Sequence, residues 1–258
     1  MKIKNRFFLV CLLLMMSLFA AVPAQAKTAS VVLTLKSKPG TRPYYLKKGT
    51  KVQLKGKVGK KKYSGTKLKY LSSNRRVATV SSKGIVTAKK AGETVIRVFT
   101  KDGKYGAKVR LKVTKKSLTI AQRAMNYKSA TKYKILLNRG KHKVYIFKKN
   151  SKGVWKRIKT FPCVVGAPGE TETPRGVYST KDKGMAFETE HGNYCWYYTR
   201  IYSNYLFHSQ IYSPGSMTNI VDGSMGVSVS HGCVRLYLSH ARWIYKNIPT
   251  GTRVVIYN

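Results

Sequence analysis

Between residues 31 and 114 apolar and polar positions trade places over short runs: SVVLTL, TKVQLKG, KLKYLSS, VATVSS, ETVIRVFT and AKVRLKV. Side chains of a strand point alternately to opposite faces, so each run has one face suited to a core and one suited to water. Lys48-Gly49, Lys83-Gly84 and Asp102-Gly103 punctuate the runs as turns. Short strands spaced this regularly predict an antiparallel β-sandwich.

The alternation stops over residues 115–130, KKSLTIAQRAMNYKSA, where helix-favouring Ala, Gln, Arg and Met predict a linker with a single helical turn. Strands then resume. YKILLN and KVYIFKK flank RGKHK, read as a hairpin turn in which Gly140 supplies the permissive backbone. KTFPCVVG is a strand ending at Gly166, and TPRGVYST opens with a proline turn before another strand. Near the end, Ser239 is placed to cap a short helix through Ile248, stopped by Pro249 and followed by a last strand, TRVVIYN. Residues 131–258 are therefore expected to be mostly β with one helix.

Ahead of both segments, residues 1–26 read as a secretory signal peptide. Lys2, Lys4 and Arg6 form a basic start, an apolar run extends from Phe7 to Val22, and Ala24-Gln25-Ala26 is a small-x-small cleavage site. The run is shorter than the roughly 20 residues of a spanning helix, and no later segment is apolar enough to cross a bilayer. Cys11 lacks the small-residue setting of a lipid-modified cysteine. The expectation is a secreted protein beginning at Lys27.

Charge narrows the partners. The chain carries 51 basic against 8 acidic residues, a net +43. Such a balance points to a polyanion, and for a secreted protein the available ones are anionic cell-wall polymers and lipid headgroups rather than nucleic acid. The plainer alternative is a lysine-rich surface that merely stays solvated. Residues 27–114 hold 25 basic residues but no His, no Cys and only Glu93 and Asp102 as acids. That segment lacks the groups for acid-base or metal chemistry, so its work is to space or tether.

Cys163, Cys195 and Cys233 remain after the leader, and an odd number leaves at least one unpaired within the chain. If two pair, Cys163 with Cys195 is the pair expected. Cys233 stands in SVSHGCVRL, beside His231, Gly232 and Arg235, a setting for a reactive thiol rather than for packing. An ordinary cysteine is mostly protonated near neutral pH and needs a base or a positive field. Of five histidines, His142 reads as an exposed turn residue, His240 as a helix packing residue and His191 as a loop residue. His208 closes the run NYLFHS at the end of a strand, and His231 lies two residues from Cys233, so these two remain as candidate bases. A zinc site from Cys195, His208, His231 and Cys233 does not match paired ligand spacing, and no metal or cofactor is expected.

Two stretches resemble known families. LSSNRRVATVSSKGIVTAKKAGETVIRV is similar to bacterial immunoglobulin-like domains of group 2, placing such a domain at 27–114. His208-Ser209, followed by Ser230-His231-Gly232-Cys233-Val234-Arg235-Leu236, resembles the signature of L,D-transpeptidases with the YkuD-type catalytic domain, over residues 131–258. CVVGAPGETETPRGVY and Gly226 agree with that resemblance. The 21 residues between His208 and Ser230 exceed the family's usual spacing, so IYSPGSMTNIVDGS reads as an inserted loop. Sortases and papain-like hydrolases differ in spacing or in the order of Cys and His.

The resemblance implies a mainly β protein, an Ig-like sandwich followed by an L,D-transpeptidase-type β domain. It implies Cys233 as nucleophile, His208 as base and the Ser209 carbonyl as the group orienting that imidazole. N–H groups around His231, Gly232 and Cys233 are the implied oxyanion donors, with His231 also open to an orienting or relay role. Arg235 is the implied carboxylate binder, for a carboxylate of the substrate or of the site wall, and Trp196 and Tyr198, in NYCWYYTRIYSNY, are expected to cover the intermediate. The implied reaction is 3→3 cross-linking of peptidoglycan stem peptides through a thioester, with water in place of the acceptor amine as an alternative. Carbapenem-type inhibitors are expected to acylate Cys233. An inert second domain serving a wall-binding protein is the reading from a different class.

Overall fold

The computed structural model describes residues 30–35, 41–169 and 171–258. The expected leader, residues 1–26, lies outside them. Among the described residues no helix is long and apolar enough to cross a membrane.

The alternating runs fold as expected into two facing sheets. One holds Ser30–Thr34, Lys51–Val58, Lys61–Ser64, Ala78–Val80 and Ile85–Ala88; the other holds Thr41–Lys47, Leu68–Ser72, Gly92–Thr100 and Gly106–Thr114. Inward positions such as Leu54, Val86, Ile96, Val98, Val109 and Leu111 are fully buried between them, while the intervening lysines and arginines face water. Two pairings are parallel, Ser30–Thr34 with Lys51–Val58 and Thr41–Lys47 with Gly106–Thr114, so the sandwich is not purely antiparallel.

The linker is more ordered than a tether. Helix Ile120–Met125 is opened by a capping box: the Gln122 N–H donates to Thr119 Oγ1 at 3.2 Å and the Thr119 N–H to Gln122 Oε1 at 2.9 Å. The helix lies on the sheet that contains Tyr133–Asn138, where Ala124 packs with Leu136, Tyr145, Phe147 and Val255. Strand Tyr133–Asn138 is consequently buried at every position, Lys134 included. The Lys134 ammonium donates to the carbonyls of Ala124 and Tyr127 and stands 3.8 Å from the centre of the Trp155 ring. Asn126 then reaches the Ig-like domain, accepting from the Tyr45 N–H and donating to the Tyr45 carbonyl, each at 2.7 Å.

Among its described residues the second domain has two large sheets and a small parallel one, Val165–Gly166 with Ser228–Ser230. Trp155–Pro162, Lys143–Lys149, Tyr133–Asn138, Arg253–Tyr257 and Gly176–Ser179 lie side by side in that order. The other large sheet runs Ile220–Asp222, Ile211–Tyr212, Tyr194–Tyr202, Tyr205–Ser209 and Val234–Leu236, with Lys183–Glu188 also on Tyr194–Tyr202. Helix Leu238–Asn247 buries Ala241 and Ile244 in a core shared with Ile135, Ile146, Phe207 and Leu236. Its N-cap is Tyr237, without a side-chain cap bond, and Ser239 lies inside the first turn rather than capping it.

The hairpin forms, but its left-handed residue is His142, at φ 49°, and not Gly140. Asn138 Oδ1 accepts from the Lys141 N–H at 3.0 Å and shapes the turn. His142 is half-buried and shares a 2.9 Å hydrogen bond with Ser228 Oγ, so it braces the strand leading to Cys233 instead of facing water. His240 does pack, stacked 4.1 Å from Phe161.

Candidate active site

Strand Tyr205–Ser209 lies parallel to Val234–Leu236, with His208 opposite Arg235 and Ser209 opposite Leu236. This pairing brings together the two halves of the sequence motif. A cavity of about 370 Å³ opens there, its wall including Cys195, His208, Ser230, His231, Cys233 and Arg235. A larger cavity of about 500 Å³ lies against helix Leu238–Asn247, but no Cys or His lines it.

His208 is 3% exposed. Its Nδ1 is 2.7 Å from the Ser209 carbonyl, which only accepts, so the proton sits on Nδ1 and Nε2 carries the lone pair. Burial first, and the Arg235 charge second, lower the imidazole's pKa from 6.5 to about 3, against a smaller upward pull from the Ser209 carbonyl. The ring is therefore neutral at ordinary pH. The Phe187 ring meets it edge-on at 5.2 Å.

The Cys233 thiol donates to the Asn204 carbonyl at 3.3 Å. Burial raises its pKa, while the Leu206 N–H, Arg235 and Arg200 pull it back. The resting site thus pairs a neutral thiol with a neutral imidazole, not a thiolate with an imidazolium. Cys163 and Cys195 are unpaired as well, so the expected bond between them does not form, and burial pushes both thiols to about 12.

The turn that carries the thiol is held from below. Gly232 has φ 103°, and a Cβ there would lie 2.5 Å from the Tyr205 ring. Ser230 Oγ donates to the Cys233 carbonyl at 2.6 Å and accepts from the Gly232 N–H at 3.3 Å. That takes Gly232 out of the expected set of oxyanion donors and leaves the N–H groups of His231 and Cys233. His231 is exposed at the cavity mouth.

Sequence reasoning missed Thr173. Fully buried, its Oγ1 donates to the Gly232 carbonyl and accepts from the Gly166 N–H, both at 2.8 Å, tying the TPRG segment under the cysteine turn. Gly166 is needed because a Cβ would come within 1.9 Å of the Thr171 carbonyl oxygen. The spaced Gly…Thr-Pro pattern was the available signal, but it named no contact.

The Arg235 guanidinium meets a carboxylate of the site wall, that of Asp222 in the loop 211–224, one of the two kinds expected for it. Two expectations change. Trp196 does not line the cavity; its indole N–H donates to the Ser216 carbonyl at 2.7 Å and steadies the insert. Tyr198 also lies outside the wall and reaches His208 only through Phe187, 5.9 Å away edge-on. Phe187, Glu188, Thr189 and Glu190 line the cavity in their place. His191 stands exposed in the adjoining turn, 3.5 Å from the Glu190 carboxylate. Among the described residues no group of His, Cys, Asp and Glu is arranged to hold a metal ion.

Residues 132–256 match the L,D-transpeptidase catalytic domain of the YkuD family, and residues 41–111 match the group 2 bacterial Ig-like domain. Its C-terminal half is thus similar to the catalytic domain of YkuD-type L,D-transpeptidases, with a segment similar to an Ig-like domain ahead of it. A curated Bacillus subtilis (strain 168) protein, YciB, provisionally named an L,D-transpeptidase, is 34% identical over 89 residues, 33% of this chain and 46% of its own length. A Clostridium acetobutylicum ATCC 824 structure, described as a fused Zn-dependent amidase/peptidase/peptidoglycan-binding domain-containing protein, is 40% identical. The match covers 50% of this chain and 53% of that one, with a TM-score of 0.42. The L,D-transpeptidase LdtMt1 in complex with imipenem is 14% identical over 86% of this chain and 97% of its own, with a TM-score of 0.39. The chain thus spans about half the length of the first two relatives.

Proposed function

We propose that the protein is an exported cysteine L,D-transpeptidase that forms 3→3 cross-links between peptidoglycan stems. The observation that carries this is the His208 imidazole, fixed through Nδ1 on the Ser209 carbonyl, sharing one cavity with the Cys233 thiol. Cys233 gives its proton to His208 Nε2 as the sulfur adds to the carbonyl carbon of the third, L-configured stem residue. The N–H groups of His231 and Cys233 receive the oxyanion. Collapse breaks the peptide bond, and His208 returns the proton to the departing D-alanine amine, leaving a thioester. An acceptor amine then loses a proton to His208, attacks the thioester and restores the thiol. Phe187 and Thr189 shield the thioester from water, which as acceptor would give the carboxypeptidase outcome instead.

The test is incubation with purified disaccharide tetrapeptide, read by mass spectrometry. Cross-linked dimer and a thioester adduct on the wild type, both absent from Cys233→Ser, are the expected result; tripeptide alone would identify the carboxypeptidase, and no adduct with stem or carbapenem would overturn the reading. Anionic wall polymers are the proposed second partner. Lys57 lies directly opposite Lys62, and Arg97 opposite Lys108, on the two outer faces of the Ig-like sandwich. Like charges so placed repel, and a bound polyanion relieves that cost.

A further inference from the structure

The insert between His208 and Ser230 does more than lengthen the chain. Its strand Ile220–Asp222 pairs antiparallel with Ile211–Tyr212, setting Asp222 opposite Ile211 and delivering its carboxylate to the Arg235 guanidinium. The Ser224 N–H donates to the same carboxylate at 2.9 Å, and the Gln210 side chain donates to the Gly223 carbonyl at 2.9 Å. The loop is therefore pinned on both sides of Asp222.

Arg235 is 8% exposed and is held by its own backbone, which exchanges bonds of 3.0 and 3.1 Å with Val164. It sits beside His208 in the ladder and two residues beyond Cys233. A cation this buried is costly without a counter-charge, and among the described residues Asp222 is its one ion-pair partner. The other groups facing His208 and Cys233 are the Ser209 carbonyl, the Phe187 ring, the Arg200 charge and, around the cavity, Cys195, Glu188, Glu190 and His231.

We infer that Asp222 is a positioning residue of this site: it fixes the Arg235 guanidinium and offsets the positive charge that Arg235 places on His208 and Cys233. The chain supplies its own carboxylate where a substrate carboxylate would otherwise bind, so Arg235 acts as an electrostatic wall element rather than as a substrate receptor. This rests on the reading of Cys233 and His208 as nucleophile and base.

The sign of the effect follows from charge. With Asp222 neutralised, an uncompensated Arg235 favours the thiolate and disfavours the imidazolium. In Asp222→Asn the pH midpoint for alkylation of Cys233 by iodoacetamide, followed on the Cys233 peptide by mass spectrometry, should fall by about one unit. Asp222→Glu should restore most of the shift. A merely structural role would lower the thermal midpoint and leave the pH midpoint in place, and a folded Asp222→Asn with an unmoved pH midpoint overturns the inference. Alkylation needs no turnover, so this result stands or falls apart from the transpeptidase reading. A second measurement uses the wild type alone: tetrapeptide stems with a free and an amidated C-terminus should acylate Cys233 at rates within about threefold, whereas loss of a charge-assisted bond would cost tenfold or more. A tenfold preference for the free acid would return Arg235 to carboxylate binding.

Discussion

At Cys233 and His208 the resting protonation states decide how the chemistry starts. The imidazole titrates near 3 and the thiol is pushed up by burial, so the base is available, unprotonated, throughout the usual range. Acylation by a carbapenem should therefore stay level from about pH 5 to about pH 8 instead of falling below the ordinary histidine value of about 6.5. Stopped-flow rates across that range check this; a decline centred near pH 6.5 would mean an exposed, ordinary imidazole. Stability has the same sign. A depressed pKa means the folded state binds fewer protons than the unfolded chain below 6.5, so this contribution is complete above that value and is lost as pH falls toward about 3.

Individual glycines and one threonine set how the elements meet. Thr173→Val leaves the Gly166 N–H and the Gly232 carbonyl buried without their partner, a loss of about 1–3 kcal/mol, measurable by urea denaturation and accompanied by slower acylation of Cys233. Lys134→Met removes the ammonium from the carbonyls of Ala124 and Tyr127 and should release the linker helix from the sheet that contains Tyr133–Asn138, lowering stability by a similar amount of about 1–3 kcal/mol. Hydrogen exchange localised to residues 120–127 would report it; uniform exchange would show that the helix does not depend on this clamp. The linker's helical turn was legible from composition, whereas its docking was not, since a lysine in YKILLN gives no local sign of burial.

Across the whole molecule the charge is divided unevenly. Seven of the eight acids lie among the described residues, and six of those are engaged by a charged or hydrogen-bonding side chain: Glu93 with Lys112, Asp102 with Thr100, Glu172 with Arg139, Asp182 with Arg200, Glu190 with His191 and Asp222 with Arg235. Most basic side chains thus remain uncompensated. The full-length protein should bind isolated cell walls and elute at about 0.5–1 M salt, where screening acts over only a few ångströms. Retention indifferent to salt would exclude the electrostatic account.

The sequence by itself determined the β architecture of both segments, because period-two alternation is a local property that a single strand displays. It also named His208, Ser209 and Cys233, because those residues are tied to one another by a spaced motif. The tertiary structure alone decided what those residues face. Asp222 reaches Arg235, Phe187 displaces Trp196 and Tyr198 from the cavity wall, and Thr173 stands under the cysteine turn. Burial likewise settled the neutral state of the thiol and the imidazole. Such contacts join strands distant along the chain, and desolvation depends on everything packed around a group, so neither leaves a trace in the residues next to it.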